Sequence, residues 1–417
     1  MALTAPLFAS MSFDYLIAGG GTAGLAVGAR LIENPSVKVG VIEAGINHID
    51  DSKILTPLDL FLLFNNPQHD WAYNSTPQVN LNDWVVTQAR GKGLGGSSSI
   101  NFQALTFASR NDIDDWKRLG NDGWSYNDLV PYYKKFEDYQ PPPSDVAKDA
   151  SAEYINASAN GDGGPIRGSF APFYNDIQKA WTPTYQNLGI GADGDMRDGI
   201  ALGGYTNRMS QNQEDHTRSY AGNRYYKPNA REPGLKLPTE ARVNNIIFNK
   251  KTNGGFLTAI GLNFTVNGKH YIVNTKKEVI ISAGTIESPK ILELSGIGNP
   301  QILDKYGVPV LLANKAVGEN LQDHPQLGVT NQVNDGVITQ DQYFNKTYQD
   351  AARILYETNR TGPLTSVVTQ HAPLSWAQML SPDKKNRPQD MVNQYLSGPY
   401  NSSVVACLSS MNWSNSG

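Results

Sequence analysis

The stretch that decides the fold of this chain is Asp14-Tyr-Leu-Ile-Ala-Gly-Gly-Gly-Thr-Ala-Gly-Leu-Ala-Val-Gly-Ala-Arg30, followed by Val37-Lys-Val-Gly-Val-Ile-Glu43. The apolar run at residues 15–18 predicts a short buried strand, the glycines predict a tight turn, and residues 22–31 predict a helix. The second apolar run ends at Glu43, close to the spacing of the acidic residue in a dinucleotide site. The pattern favours a dinucleotide-binding βαβ unit; the alternative is an ordinary βαβ turn made tight by glycine.

Each residue type in this stretch has a physical reason to be there. Gly19 permits the sharp turn, Gly21 lets the backbone approach a pyrophosphate, and Gly24 lets helix and strand pack closely. The start of the helix offers unpaired N–H groups and a positive dipole end to the phosphates. A carboxylate at Glu43 can accept hydrogen bonds from ribose hydroxyls and would repel a 2′-phosphate, which disfavours NADP.

Composition limits the classes of protein to which the chain can belong. Its 417 residues suggest two or three domains, and 39% hydrophobic with 18% charged residues is ordinary for a globular enzyme. A formal net charge of −4 gives no basic patch for nucleic acid or for an anionic membrane. No apolar run reaches the ~20 residues of a membrane span. The single cysteine, Cys407, excludes an internal disulfide and a cysteine-based metal site. With no signal peptide visible, we expect a cytoplasmic protein without a metal; secretion is the alternative.

The rest of the chain divides into loop-rich and periodic segments. Residues 140–164 predict an exposed crossing between subdomains, and residues 191–226 predict long loops. Three strand-like runs at residues 243–248, 256–267 and 269–282 are separated by turn signals and predict a small antiparallel element. Residues 288–294 then predict a helix with a proline near its first turn.

A second glycine-rich motif is Arg90-Gly-Lys-Gly-Leu-Gly-Gly-Ser-Ser-Ser-Ile-Asn101. Its backbone N–H groups on a concave loop would suit a phosphate or an electron-rich ring edge. It is not a Walker A loop, because Lys92 is followed by Gly93 rather than by serine or threonine. The alternative is a flexible linker, which the helix-capable segment at residues 100–116 makes the weaker interpretation.

Taken together, the motifs resemble those of the glucose–methanol–choline (GMC) oxidoreductase family, in particular its fungal aryl-alcohol oxidase and choline-dehydrogenase-like branch. The resemblance covers roughly residues 13–330 and the motifs occur in the family's order. They are the first glycine turn, Asp70-Trp-Ala-Tyr73 with Pro77-Gln78, Gly91 to Asn101, Gly284-Thr-Ile-Glu-Ser-Pro-Lys-Ile-Leu-Glu-Leu-Ser-Gly-Ile-Gly298, and Val317-Gly-Glu-Asn-Leu-Gln-Asp-His-Pro325.

The resemblance implies an α/β fold, in which a Rossmann-like FAD-binding domain carries an inserted substrate domain with an antiparallel sheet. On that basis we expect the FAD-binding domain at residues 13–45, 88–135 and 236–328, and a lid or extension at 46–87. The substrate domain is expected at 136–235 and 329–417, incomplete at its C-terminal end.

The resemblance also implies FAD as the cofactor, with Thr22 and Ala23 at the pyrophosphate, Glu43 and Ala44 at the ribose, residues 101–104 along the isoalloxazine, and the Val243 backbone at the adenine. Ile100 stands where members with covalent flavin have a histidine, so we expect non-covalent FAD. The predicted cofactor-binding residues are Gly19, Gly21, Thr22, Ala23, Gly24, Glu43, Ala44, Gly95, Gly96, Ser97, Asn101, Phe102, Gln103, Ala104, Val243 and Gly284.

The activity implied by the resemblance is oxidation of a small-molecule alcohol to a carbonyl by hydride transfer to flavin N5. Oxygen or a quinone-like acceptor would reoxidise the flavin, and the motifs do not decide between these two. They also leave open the identity of the substrate and whether the protein forms a homodimer. The family's catalytic histidine lies in a C-terminal block that this sequence does not contain, and His324 is only a weak candidate for the base. We therefore expect this chain alone to turn over alcohols at or near background. The alternatives are a truncated or non-catalytic flavin-binding protein and, more weakly, a lyase on the same fold.

Overall fold

The computed structural model describes residues 3–191, 194–200, 202–249, 256–323, 331–367, 370–374 and 404–408. The chain forms two compact units. The first comprises Met1–Ile54, Leu60–Asn101 and Tyr220–Gln326, and the second comprises Leu55–Asp59, Phe102–Ser219 and Leu327–Gly417.

The strands of the described residues follow in chain order. They are β1 (Ser12–Ala18), β2 (Val39–Ile42), β3 (Tyr73–Asn74), β4 (Thr87–Gln88), β5 (Glu137–Tyr139), β6 (Ile166–Gly168), β7 (Tyr205–Thr206), β8 (Leu235–Lys236), β9 (Arg242–Phe248), β10 (Ala259–Val266), β11 (Lys269–Ile281), β12 (Ile297–Gly298), β13 (Leu312–Ala313), β14 (Gln370–Leu374) and β15 (Val404–Leu408).

The α-helices of the described residues are mostly short. They are α1 (Ala5–Ser10), α2 (Thr22–Leu31), α3 (Ser52–Leu55), α4 (Arg110–Arg118), α5 (Tyr126–Phe136), α6 (Ser144–Asp149), α7 (Asp176–Asn187), α8 (Lys227–Asn229), α9 (Gly284–Leu294), α10 (Pro300–Lys305) and α11 (Lys346–Asn359). Across the part of the chain that the structure describes, no helix combines the length and the apolar character needed to cross a membrane.

The first unit is built on a six-stranded sheet in the order β8-β2-β1-β11-β10-β9. Strand β1 runs parallel to both β2 and β11, while β9, β10 and β11 form an antiparallel meander. Strand β11 is long enough to serve both parts, because its first half pairs with β10 and its second half with β1. This arrangement confirms the predicted Rossmann-like fold, and helix α2 has the predicted bounds.

A buried apolar cluster packs helix α1 against β1 and the strands of the antiparallel meander. Phe8 of α1, Phe13 of β1 and Phe264 of β10 are at most 2% exposed, and the Phe8 ring meets the Phe264 ring edge-on with centroids 5.8 Å apart. Burial of each such side chain stabilises the fold by about 1.5–3 kcal/mol. Leu16 and Ala18 of β1 belong to the same cluster, so it anchors the strand that leads into the glycine turn.

One helix of the first unit starts earlier than the sequence indicates. Helix α9 begins at Gly284 rather than at residue 288, and Pro289 lies inside it. Gly284 itself has a φ of +84°, a conformation that favours glycine, so the chain turns from β11 directly into the helix. Pro289 is the sixth residue of the helix, beyond the four N–H groups that lack an intrahelical partner, so it costs α9 one helical hydrogen bond.

The second unit contains an antiparallel sheet in the order β15-β14-β7 and a short parallel pair, β5 with β6. The helix expected over residues 100–116 is wrong for its first part, because α4 begins only at Arg110. Ser109 caps that helix: its hydroxyl accepts from the Asp112 N–H, and the Asp112 carboxylate accepts from the Ser109 N–H. This capping box sets the start of the helix at that point.

Candidate functional site

The turn after β1 can only be made by glycine. At Gly19 the φ angle is +103°, and a Cβ there would lie 2.6 Å from the carbonyl oxygen of Ser282. A Cβ at Gly24 would lie 1.9 Å from the carbonyl oxygen of Gly19. The close packing of turn, helix and strand predicted for Gly19 and Gly24 is therefore present.

Helix α2 begins at this turn without help from a side chain. Its N-cap residue is Gly21, which makes no side-chain cap hydrogen bond. A Cβ at Gly21 would meet only the Cα of Gly96, at 3.6 Å, which is ordinary contact. Protein packing therefore does not explain a glycine at this position, whereas a ligand close to the backbone would.

The second glycine-rich loop packs directly on the first. The N–H of Gly95 donates to the carbonyl oxygen of Gly20 over 3.0 Å, and a Cβ at Gly96 would lie 2.7 Å from the Cα of Gly21. Thr22 also links the two loops, since its hydroxyl donates to the Gly95 carbonyl oxygen and accepts from the Ser98 N–H, each at a distance of 3.2 Å. The loop is thus held in place, and its interpretation as a flexible linker is wrong.

Glu43 lies at the end of β2 with only 7% of its surface exposed. Its Oε2 accepts a hydrogen bond of 2.8 Å from the Gly20 N–H. Its Oε1 accepts two, one of 2.7 Å from the Gly45 N–H and one of 3.2 Å from the Gly93 N–H. Burial raises the pKa of Glu43, and these backbone hydrogen bonds oppose that rise. The carboxylate therefore joins the two glycine loops to β2.

These elements surround a cavity of about 560 Å³ within the first unit. Its volume lies in the range of about 300–1,000 Å³ that is usual for small-molecule and cofactor sites. Ten of the predicted cofactor-binding residues line it: Gly19, Gly21, Thr22, Ala23, Glu43, Ala44, Gly96, Ser97, Val243 and Gly284. Gly24 and Gly95 do not line the cavity, but their backbone contacts with Gly19 and Gly20 hold the turn that does.

The segment predicted to follow the isoalloxazine is divided between the units. Asn101 ends its stretch of the first unit, and its N–H donates to the Ser97 carbonyl over 3.0 Å. Phe102, Gln103 and Ala104 belong to the second unit. There Gln103 has a φ of +61° and accepts a hydrogen bond from the backbone of the second unit, and Ala104 forms a bridge in the same unit. A flavin-facing role for these residues stays a prediction.

Sequence reasoning missed one side of the cavity. Trp71, Tyr73, Arg90, Arg242 and Glu287 also line it, and the Trp71 and Tyr73 rings stack with centroids 5.8 Å apart. Four of them stand in motifs or strands that had been recognised, but the motifs alone did not say which side chains turn towards the ligand. The signal available was chemical, namely aromatic and charged residues inside otherwise glycine-rich or apolar motifs.

Glu287 is the centre of this side. The Tyr73 hydroxyl donates a hydrogen bond of 2.6 Å to its Oε1, and the Lys290 ammonium donates one of 2.9 Å to the same atom. Burial opposes ionisation of Glu287, but the two hydrogen bonds and the charges of Lys290 and Arg242 outweigh it, so its pKa lies below the usual value. Burial and the Glu287 carboxylate raise the pKa of Tyr73, which keeps the phenol protonated as a donor.

No histidine whose side chain the structure describes lines the cavity. His48 and His69 are buried with their rings stacked 5.2 Å apart, beside the second glycine loop, and His270 contacts Asn244 and Thr265 on the antiparallel meander. His324, the weak candidate for a base, lies outside the described residues. Within those residues no cluster of ligating side chains suited to a metal ion occurs.

The chain is similar to proteins of one known family. Residues 13–326 match the family model described as GMC oxidoreductase. The chain is 36% identical over 366 residues to the dehydrogenase mpl7 of Monascus purpureus, which covers 87% of this chain and 58% of the relative. An FAD-dependent oxidoreductase from Chaetomium thermophilum superposes with a TM-score of 0.80 at 30% identity, over 89% of this chain and 63% of that one.

A fungal aryl-alcohol oxidase superposes with a TM-score of 0.73 at 27% identity, over 88% of this chain and 62% of the oxidase. The matched region thus spans 58% of the length of the Monascus purpureus dehydrogenase. The similarity extends beyond the glycine motifs, because it includes most of both compact units.

Proposed function

We propose that this chain, which belongs to the GMC oxidoreductase family, is the FAD-binding part of an enzyme that oxidises an alcohol to a carbonyl. The observation that carries the proposal is the cavity between two interlocked glycine loops, the end of β2 and the start of α9. A backbone surface of this kind, next to a helix N-terminus, suits a pyrophosphate.

The residues of the cavity fit FAD. Gly21 leaves space that a side chain would fill, and Thr22 and Ala23 place the first turn of α2 beside it. Glu43 lines the cavity, and its Oε2 accepts one backbone hydrogen bond, so that oxygen keeps capacity for a ribose hydroxyl. FAD-dependent relatives of known structure share this fold.

When bound, FAD supplies the acceptor for a hydride from the carbinol carbon. The described residues supply binding and orientation, since the loops hold the cofactor and the helix N-terminus offsets its negative charge. We propose that the proton of the alcohol is taken by a base that none of the described cavity residues provides, and that oxygen or a quinone-like compound is the final electron acceptor. We further propose that FAD is bound non-covalently, since Ile100 is buried and has no nucleophilic atom.

The first test concerns the cofactor. The purified chain is incubated with FAD, desalted and denatured with acid, and the yellow colour is followed. We expect bound flavin that passes entirely to the supernatant after precipitation. Flavin that stays with the pellet would show a covalent bond, and a chain that takes up no FAD would refute the proposal.

The second test concerns the reaction. FAD-loaded chain is mixed anaerobically with benzylic, allylic and polyol alcohols while the flavin absorbance is recorded, and a product extended to the length of the relatives is measured beside it. We expect reduction in the extended product and near-background reduction in residues 1–417. Equal reduction by the short chain would place the base within it. No reduction in either would favour a non-catalytic flavoprotein, and carbonyl release without reduction would favour a lyase.

A further inference from the structure

An acidic side chain lines the cavity that no dinucleotide motif explains. Glu287 stands in the first turn of α9 and is 14% exposed in its side chain. Its Oε1 is used twice, by the Tyr73 hydroxyl and the Lys290 ammonium. Its Oε2 lies 3.7 Å from the Arg242 guanidinium, which is an ion pair too long for a hydrogen bond. This oxygen therefore keeps acceptor capacity at the cavity wall.

The position of Glu287 along the cavity follows from the backbone. The carbonyl oxygen of Glu43 accepts from the Ala241 N–H over 2.9 Å, so the wall continues from the end of β2 into the start of β9. Arg242 comes next and reaches Glu287. A dinucleotide with its pyrophosphate at α2 and its ribose at Glu43 would place its base beyond Glu43, along residues 241–243 and beside Glu287.

The chemistry of an ionised carboxylate restricts what it can face. It accepts hydrogen bonds and donates none, so it is stabilised by an amino group and repelled by a carbonyl oxygen. Adenine carries an amino group at C6, and unsubstituted purine lacks that donor. Tyr73, Lys290 and Arg242 hold the carboxylate ionised and in one orientation, which is what selective recognition requires.

We propose that Glu287 is a specificity-determining residue, whose Oε2 accepts a hydrogen bond from the amino group of the adenine of FAD. The inference rests on the proposed function, because it takes the cavity as the FAD site. It assigns to the start of α9 a part in choosing the nucleotide, in addition to the part that the α2 turn plays in holding the phosphates.

The experiment compares two ligands on the same chain: FAD, and an FAD analogue with purine in place of adenine, which lacks only the amino group. Dissociation constants are measured by flavin fluorescence for wild type, Glu287→Ala, Glu287→Gln and Tyr73→Phe. A hydrogen bond to a charged group predicts that wild type binds FAD about 10- to 100-fold more tightly than the analogue. Glu287→Ala should lose this preference by weakening FAD binding alone.

The other two variants separate recognition from support. Tyr73→Phe keeps the carboxylate and removes one of its holders, so it should weaken both ligands alike and retain a preference for FAD. Glu287→Gln keeps an uncharged acceptor and should retain a reduced preference. If Glu287→Ala does not fold, as judged by circular dichroism, the wild-type preference and the Gln variant still decide the question.

Two results would overturn the inference. Equal affinity of wild type for both ligands would show that the amino group is not read, and equal weakening of both ligands by Glu287→Ala would reduce Glu287 to a structural clasp for Tyr73. In either case FAD would still bind, and the proposed function would stand. A wild-type chain that binds neither ligand would instead refute the proposed function together with this inference.

Discussion

Replacing Glu43 by glutamine tests the part of the site on which the other parts depend. The carboxylate accepts hydrogen bonds from the backbone N–H groups of Gly20, Gly45 and Gly93, and it is almost fully buried. Glu43→Ala would leave three buried donors without this acceptor, at about 1–3 kcal/mol each. That loss approaches the whole stability of a typical domain, about 5–15 kcal/mol, so the alanine variant is expected not to fold.

Glu43→Gln is the informative variant because it keeps the shape and one acceptor oxygen. Its NH₂ group would face a backbone N–H, so at least one hydrogen bond is lost, at about 1–3 kcal/mol. Since burial raises the pKa of Glu43, glutamine also removes a desolvation cost, which places the expected loss towards the lower end. For a unit of this size the melting temperature should fall by about 2–12 °C.

Thermal unfolding of the apo chain, followed by circular dichroism, measures this effect without the cofactor. Glu33→Gln is the matched control, because Glu33 is a surface partner of Arg30, and its change should stay within about 0.5 kcal/mol. FAD affinity of Glu43→Gln should fall as well, because a ribose acceptor is weakened. A melting temperature equal to that of Glu33→Gln would refute the three hydrogen bonds and with them the account of how the loops are joined.

Two further predictions concern the glycine turn and the buried histidines. Gly21→Val should fold, because its Cβ meets only Gly96 at 3.6 Å, yet bind FAD at least about tenfold more weakly, whereas Ala26→Val on the same helix should bind normally in the same fluorescence titration. Burial, and then the His69 ring stacked on it, lower the pKa of His48 to about 4. The unfolded chain therefore takes up a proton first, and stability should fall by up to about 3 kcal/mol as the pH drops from about 6.5 to 4. Urea unfolding at several pH values should show a smaller fall in His48→Phe; an equal fall would contradict the assignment.

Much of the fold could be predicted because its signals are local. The α2 helix and the strands of the meander follow from apolar periodicity and glycine turns, which act over a few residues. The starts of α4 and α9 were predicted at the wrong residues because several local signals compete at each of them. The capping box at Ser109 competed with apolar residues that begin at residue 100, and the positive φ at Gly284 competed with Pro289, which is typical of a first helical turn.

The site was predicted less completely, because its contacts join distant segments. Glu43 was expected to hold a ribose, but one of its three hydrogen bonds to backbone N–H groups comes from Gly93, 50 residues away. The Tyr73–Glu287 hydrogen bond joins residues 214 positions apart. No periodicity within either segment encodes such a contact, so a single sequence can show the residue types without showing their partners.

The parallel pairing of β1 with both β2 and β11 explains how such distant segments form one cavity. The carboxyl ends of parallel strands meet at one edge of the sheet, so Gly19, Glu43 and Ser282 come together although they are far apart in the chain. Each strand is followed there by a different feature: a backbone turn after β1, an acidic residue after β2, and the start of a helix after β11. The second glycine loop then closes on the first at Gly96, where a Cβ would lie 2.7 Å from the Cα of Gly21. A side chain at Gly96 would separate the two loops, whereas one at Gly21 would occupy space left for the ligand. The two glycines therefore serve different ends, one structural and one functional, which the sequence pattern alone does not distinguish.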